Sequence, residues 1–497
     1  MADRVETREV DVLVVGGGCS GSAAAIQAAR MGARVLVVEE TPWLGGMLTA
    51  AGVSAVDGNE GALGGGLFGA FRAAMEDHHG GPEAVRSGWV SNTCFEPQVA
   101  AAWFAREARA SGAEVVHGAV PERVHREKAS PDGDRVTGVL FDVGEEWLDV
   151  RAKVTIDATE YGDVLHLGGV PYRLGRESAE EAGEPHAPAA SDDEIQDLTM
   201  VATLQRFDDE APRVPLPIGF DLGRFDCSTA VRCEVPYPEH WNHALHDWDS
   251  FLGYALLPGG RFMLNWPFHA NDHPAQGLFG TREERARTIE RAKERALAYV
   301  HYIQTELGHP EWGLATDVYP TDDSLPLLPY VRESRRVVPV RWLREQDVVP
   351  QDGSERNAVL RDGIAVGDYY LDHHHDKDHR PPGERLGEDY PANAPFQVPY
   401  SALVPRSIDG LLAAEKNIGA THIVNGCSRL QPVSMLIGQA AGAAAALASA
   451  AGSEPRNVDL QALQDVLLEA GCQVVPDREV GSGDPGFAQR QRSLLGR

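Results

Sequence analysis

Val12-Leu-Val-Val-Gly-Gly-Gly-Cys-Ser-Gly21, continuing into Ser22-Ala-Ala-Ala-Ile-Gln-Ala-Ala-Arg30, decides the fold. The apolar, largely β-branched run at 12–15 reads as a strand buried in a parallel sheet. Gly16, Gly18 and Gly21 follow at G-x-G-x-x-G spacing, and a small-residue helix starts at once. In that context the first glycine permits the tight turn. The second lets a pyrophosphate approach the backbone, and the third lets helix and strand pack closely. Free N–H groups and the positive dipole end of the helix favour phosphate there. Residues 33–38 read as the second strand. Glu39 stands at its end, roughly 20 residues past the glycines, where a carboxylate takes ribose hydroxyls.

A chain of 497 residues has room for two or three domains and a large core. Its net charge of −29 argues against nucleic acid and against an anionic membrane surface as partners. No apolar run approaches a bilayer-spanning length, and residues 1–10 are charged and lack a signal core. The expectation is a cytoplasmic protein. Cys19, Cys94, Cys227, Cys233, Cys427 and Cys472 include no C-x-x-C pair, so all six read as buried free thiols.

Further along, glycines are dense at 44–49 and 61–69. Residues 96–110 read as an amphipathic helix ended by Gly112, and 113–117 as a third parallel strand. Residues 136–143 and 147–150 read as strands joined by a polar turn, and 154–159 as a further buried strand. The acidic stretch 175–194 reads as an exposed, partly mobile excursion. Residues 195–395 are rich in Pro, Trp, Tyr and His and read as an inserted substrate domain of mixed α+β character. Its one convincing helix opens with a capping box, Thr281-x-x-Glu284, and runs to about 307. The nucleotide fold then resumes: 410–414 is a short buried strand, and 432–447 a small-residue helix with Pro432 in its first turn. The division is therefore 1–175 and 396–475 for the two parts of the nucleotide-binding domain, 195–395 for the insertion, and 476–497 for a flexible tail.

The motifs Val14-Val-Gly-Gly-Gly-Cys-Ser-Gly21, Leu44-Gly-Gly-Met-Leu-Thr49, Phe95-Glu-Pro97, Asp157-Ala-Thr-Glu-Tyr-Gly-Asp163, Glu333-Ser-Arg-Arg336, Val398-Pro-Tyr-Ser-Ala-Leu-Val-Pro405 and the block 411–442 occur in this order. Together they resemble the FAD-dependent oxidoreductase family. The resemblance implies an α/β, Rossmann-like FAD-binding domain of the glutathione-reductase type. It implies that Gly16, Gly18 and Gly21 hold the pyrophosphate and Glu39 the adenosine ribose, with Cys19, Ser20 and Glu40 beside them. Gly45, Gly46 and Met47 would lie along the ribityl chain and flavin, Val120 would offer backbone to adenine, and Ala158 and Thr159 would lie near the pyrophosphate. Glu160 stands where the family usually has glycine. Glu415, Arg429, Gln431 and Val433 would approach the flavin, with the helix start at the pyrimidine edge stabilising charge on the reduced ring.

A flavin dehydrogenase needs a base that takes a proton from an alcohol or amine as hydride leaves. His422 matches a position that members of the family often keep at the flavin. It is the first candidate for this base, with a hydrogen-bonded core histidine as the alternative. Asp372-His-His-His-Asp376 offers His373, His374 and His375, read as a surface loop, a substrate or catalytic loop, or a metal site. No metal is assigned, because adjacent residues rarely point at one centre. His374 and His375 join His422 as catalytic candidates. Glu333 and Arg335 read as an ion pair or loop-orienting pair, and Asp163 as a helix N-cap. The leading function is a dehydrogenase or oxidase that moves hydride from a small polar alcohol or amine to flavin N5. A flavin monooxygenase and a carbohydrate-modifying, lyase-like enzyme are the alternatives. The expected partners are a small-molecule substrate and an electron acceptor that the sequence does not name.

Overall fold

Strand β1 (Arg4–Val15) pairs in parallel with β2 (Val35–Glu39), and β2 with β3 (Glu114–His117). Residues 12–15 of β1 and 35–38 of β2 are apolar and inaccessible, as expected for sheet covered on both faces, while β3 at the edge is half-buried. Strands β4 (Val120–Ser130), β5 (Gly133–Asp142) and β6 (Glu146–Asp157) form an antiparallel meander, and β6 returns beside β1 in parallel. Two late strands, Ile408–Asp409 and Leu411–Ala413, add to β5 and β6. The computed structural model describes residues 4–58, 64–88, 91–130, 133–233, 247–266, 270–351, 353–375, 381–385 and 389–497.

Helix α1 (Cys19–Arg30) packs on the late helix Gln431–Ala451 at backbone distance. A Cβ on Gly438 would stand 2.0 Å from the Ser20 carbonyl oxygen, and one on Gly442 would stand 2.1 Å from that of Ala24. Small residues are thus a steric requirement here. A second apolar core gathers around the helix Arg282–Thr305, where Ala292, Ala296, Tyr299 and Ile303 face Phe225, Phe251, Phe262 and Trp266. That helix opens with the complete Thr281–Glu284 capping box.

Several expectations change. Residues 4–10 belong to β1: Glu6 and Glu9 are exposed while the backbone pairs with Glu146 to Ala152. The strands expected at 147–150 and 154–159 are one continuous strand, β6. Strand β4 was hidden by its polar, half-exposed composition. The acidic stretch 175–194 is not simply an exposed excursion, because Arg176, Glu177 and Glu184 are buried against partners from distant segments. In the tail, helix Phe487–Leu494 buries Gln491, whose Oε1 accepts from the backbone N–H groups of Val474 and Val475. Cys227 and Cys233 form a disulfide, while the other four cysteines are free and buried. A disulfide is favoured in oxidising compartments, which sets this pair against the cytoplasmic expectation. Finally, Gln431–Ala451 is long and apolar enough to cross a membrane, contrary to the hydropathy reading, but 89% of its most apolar window is buried inside the fold.

Candidate functional site: a nucleotide cleft and a charged chamber

A cleft opens at the carboxyl ends of β1, β2 and β6, where open α/β sheets bind ligands. Gly16, Gly18, Gly46, Ala158 and Thr159 line it together with Glu39, Glu40 and Val120. Gly16 has φ +92°, and a Cβ there would meet the Ala158 carbonyl oxygen at 2.3 Å. A Cβ on Gly21 would lie 1.9 Å from the Gly16 carbonyl oxygen, the close helix–strand contact the motif requires. Gly45 N donates to the Gly17 carbonyl at 2.8 Å, which ties the second glycine-rich stretch to the first. The Glu39 carboxylate accepts from Gly17 N at 2.6 Å and from Thr41 N and Oγ1 at 2.8 and 2.7 Å. Burial nevertheless raises its pKa to about 7.

Glu415 closes the head of α1. Its Oε1 accepts from Ser20 N at 2.8 Å, and its own N–H donates to Ser20 Oγ at 3.0 Å. A Cβ on Gly18 would stand 2.5 Å from that Oε1, so a side chain there would displace the Glu415 carboxylate. Lys416, buried beside Cys19, donates to Glu160 Oε2 at 2.7 Å and lies 3.7 Å from Glu415 Oε2. Burial would lower the lysine pKa, but these carboxylates outweigh it and raise it. Glu160, in the place of a glycine, thus anchors a buried cation. Oε1 of Glu160 and Oε2 of Glu415 are buried without a hydrogen-bond partner. Hydroxyl donors of a polyol chain suit both oxygens, and the cleft fits FAD on that ground. Met47 and Val433 are buried nearby in the turn Gly46–Leu48 and the first turn of Gln431–Ala451. Gln431 Oε1 accepts from Asp57 N at 3.3 Å.

Arg429 is buried in a cluster of charged and phenolic side chains. It donates to the Tyr330 hydroxyl and reaches Asp372 Oδ2 at 3.0 Å. His374 bridges two carboxylates, Nδ1 to Asp272 Oδ2 at 2.8 Å and Nε2 to Asp372 Oδ2 at 2.9 Å. Burial and Arg332 oppose its charge, yet the two aspartates prevail and raise its pKa. With a carboxylate oxygen at each ring nitrogen, neither nitrogen of His374 is left open for base chemistry. Half-buried Asp57 sits in the same field: burial and Asp372 raise its pKa to about 6, against the pull of Arg429. Its charge also acts on Tyr254, Tyr330 and Tyr369. Lys416 acts on Tyr330 as well.

His422 begins the short helix His422–Ser428, capped by the Thr421 side chain. Its Nδ1 lies 2.9 Å from Glu333 Oε2 and its Nε2 3.3 Å from Glu384 Oε1. Burial would lower its pKa, but the two carboxylates raise it to about 10. His422 is a core histidine between acids and does not stand as a free base. His373 stacks on it with ring centroids 4.8 Å apart. His375 is buried, with no hydrogen-bond partner at either ring nitrogen, and burial lowers its pKa. The side chains of 372–375 alternate: Asp372 and His374 face the Arg429 chamber, and His373 and His375 face His422. Asp376 lies outside the described residues.

Glu333 also pairs with Arg336, and Arg335 pairs with Asp163, so Glu333 and Arg335 have separate partners. Asp163 is the first residue of its helix rather than its cap, and its carboxylate holds both Arg285 and Arg335. Asp157 instead satisfies that helix by accepting from Leu165 N at 2.9 Å. Sequence reasoning missed Asp57, Lys416 and Glu384. A lone lysine at the end of an apolar strand was a signal for the second; the other two carry none.

The model of the FAD dependent oxidoreductase family matches residues 11–467. Among solved structures, the chain is similar to Thermovibrio ammonificans THI4, at 21% identity and TM-score 0.26, over 37% of this chain and 76% of that one. It is also similar to a geranylgeranyl bacteriochlorophyll reductase-like protein from Thermoplasma acidophilum, at 14% identity and TM-score 0.34, over 99% and 88%. A third is the anhydrotetracycline hydroxylase OxyS from Streptomyces rimosus, at 18% identity and TM-score 0.24, over 41% and 39%. With the family model matching residues 11–467, most of its length, the chain belongs to the FAD dependent oxidoreductase family.

Proposed function

We propose that this FAD-dependent oxidoreductase is a dehydrogenase or oxidase that removes hydride from a small polar alcohol or amine, with Asp57 as the base. The nucleotide fold in this reading is of the glutathione-reductase type, and residues 195–395 supply much of the substrate chamber. FAD, when bound, supplies the two-electron acceptor for the hydride. The remaining tasks fall to the chain itself.

One observation carries the reading. Asp57 is half-buried beside the first turn of Gln431–Ala451, and its pKa of about 6 leaves it ionised yet basic near neutral pH. Arg429, Arg332 and His374 supply positive charge around it, and Tyr330 and Tyr369 supply hydroxyls that orient a polar substrate. As the substrate O–H or N–H transfers its proton to Asp57, the electron pair left behind drives hydride from the adjacent carbon. The test is anaerobic mixing of the FAD-loaded enzyme with a panel of small alcohols and amines. Bleaching of the oxidised flavin by a panel member, abolished in Asp57→Asn, is the expected result. Turnover without bleaching, or unchanged bleaching in Asp57→Asn, overturns it.

A further inference from the structure

The acid–histidine cluster on the other side of segment 372–375 has no part in that reaction, yet its donors are arranged for a ligand. His373 Nε2 is 2.9 Å from the His422 backbone carbonyl, to which it donates, while its Nδ1 is buried and has no hydrogen-bond partner. His422 Nδ1 is turned to the Glu333 carboxylate at 2.9 Å, while its Nε2 faces Glu384. Metal-bound histidines characteristically donate their outer nitrogen to a backbone carbonyl or a carboxylate. Both outer partners are present here. Glu384 is oriented as well, since its Oε2 accepts from Arg176 Nη1 at 3.0 Å and leaves Oε1 facing His422.

The spacing has the same sense. One donor atom from each of His373, Glu384 and His422 falls within 4.8 Å of the others, and all three residues are buried. The gap of 3.3 Å between His422 Nε2 and Glu384 Oε1 is long for a charge-assisted hydrogen bond. It matches the edge of a tetrahedron with metal–ligand bonds of about 2.0–2.1 Å. His375 Nε2 stands 3.7 Å from the same Glu384 oxygen and has no hydrogen-bond partner, next to the position a fourth ligand would take.

We propose that His373, His422 and Glu384 bind a divalent transition-metal ion of the zinc class, with His375 or water in the fourth position. Two imidazoles and one carboxylate suit such an ion better than magnesium or calcium, which prefer oxygen donors. On binding, the ion displaces the proton from His422 Nε2 to solvent and takes up the lone pairs of His373 Nδ1 and Glu384 Oε1. It clips the segment that carries Asp372 and His374 to the helix that starts at His422. The proposal is independent of the hydride-transfer reading.

The test uses the FAD-loaded full chain, stripped with a chelator, reloaded with Zn²⁺ and desalted, with metal content read by elemental analysis and affinity by calorimetry. About one ion per chain is expected, unaffected by excess Mg²⁺. His373→Ala and Glu384→Gln lose it. Glu333→Gln keeps the fold's hydrogen bond but weakens affinity roughly 10–100-fold, as loss of an outer carboxylate does. His374→Gln, on the opposite face of the same segment, retains it. Absence of Zn²⁺ from the unmodified reloaded protein overturns the proposal without recourse to any variant. So does full retention in Glu384→Gln, or loss in His374→Gln equal to that in His373→Ala.

Discussion

Nδ1 of His422 and Oε2 of Glu333 stand 2.9 Å apart where neither side chain reaches solvent. The imidazole there holds apart two buried acids, Glu333 and Glu384, and so secures the packing of 372–375 against its neighbours.

His422→Ala therefore leaves buried carboxylates facing an empty volume. Unfolding by denaturant is expected to show a loss of about 3–5 kcal/mol, the usual cost of breaking a buried pair from one side. Flavin reduction by substrate in the folded fraction should fall far less than the roughly 10²–10⁴-fold loss of a general base. A loss of that larger size would make His422 the base after all.

Asp57→Asn should leave FAD bound and slow flavin reduction by roughly 10²–10⁴-fold. In the parent enzyme only the ionised carboxylate accepts a proton. The rate of flavin reduction should rise with pH up to about 6 and level off above it. Stopped-flow profiles of both proteins check this, and the Asn variant should lack the acid limb.

Glu39 links cofactor affinity to pH. With Glu39 in its expected role, ribose hydroxyls bind the carboxylate form, and the FAD-free pKa is about 7, raised by burial. The Kd for FAD should tighten about tenfold per pH unit below that value and flatten above it. The stability of the FAD-free fold runs the other way. The folded pKa lies above the ordinary 4.5, so the contribution of protonated Glu39 is complete below 4.5 and lost as pH rises through about 7. Fluorescence titration and thermal melts from pH 5 to 8 report the two trends, and Glu39→Gln should flatten both.

Gly438→Ala places a methyl 2.0 Å from the Ser20 carbonyl oxygen and forces the helix Gln431–Ala451 away from α1. Overpacking of this kind costs about 1–3 kcal/mol. Because Ser20 also holds Glu415, retained FAD per chain should fall in parallel with the melting temperature.

What the sequence revealed and what it hid separate by range. Local signals sufficed for the turn Gly16 to Gly21, the capping box at Thr281 and the Pro432 helix start, because each is fixed by neighbours a few residues away. Charges deceived where their partners were remote. Arg176, in the stretch read as exposed, is buried against Glu384, and Lys416, which drew no reading, against Glu160. The run His373 to His375 read as a surface loop, a catalytic loop or a metal site, and alternation along an extended backbone sends its neighbours to opposite sides. Asp57 carries no motif; its burial and the field of Asp372, which single it out, arise only in the folded chain.

The bond between Ser20 and Glu415 joins residues 395 positions apart. During synthesis, the first strand–turn–helix emerges with its glycines in place long before the carboxylate and lysine that complete the head of α1 exist. Closing so long a loop has a large entropic cost, and contacts of this separation form late. With FAD held at the head of α1, as expected, its tight capture would wait for the end of folding, and the dinucleotide would act as a latch on the finished chain rather than a seed for the nascent one.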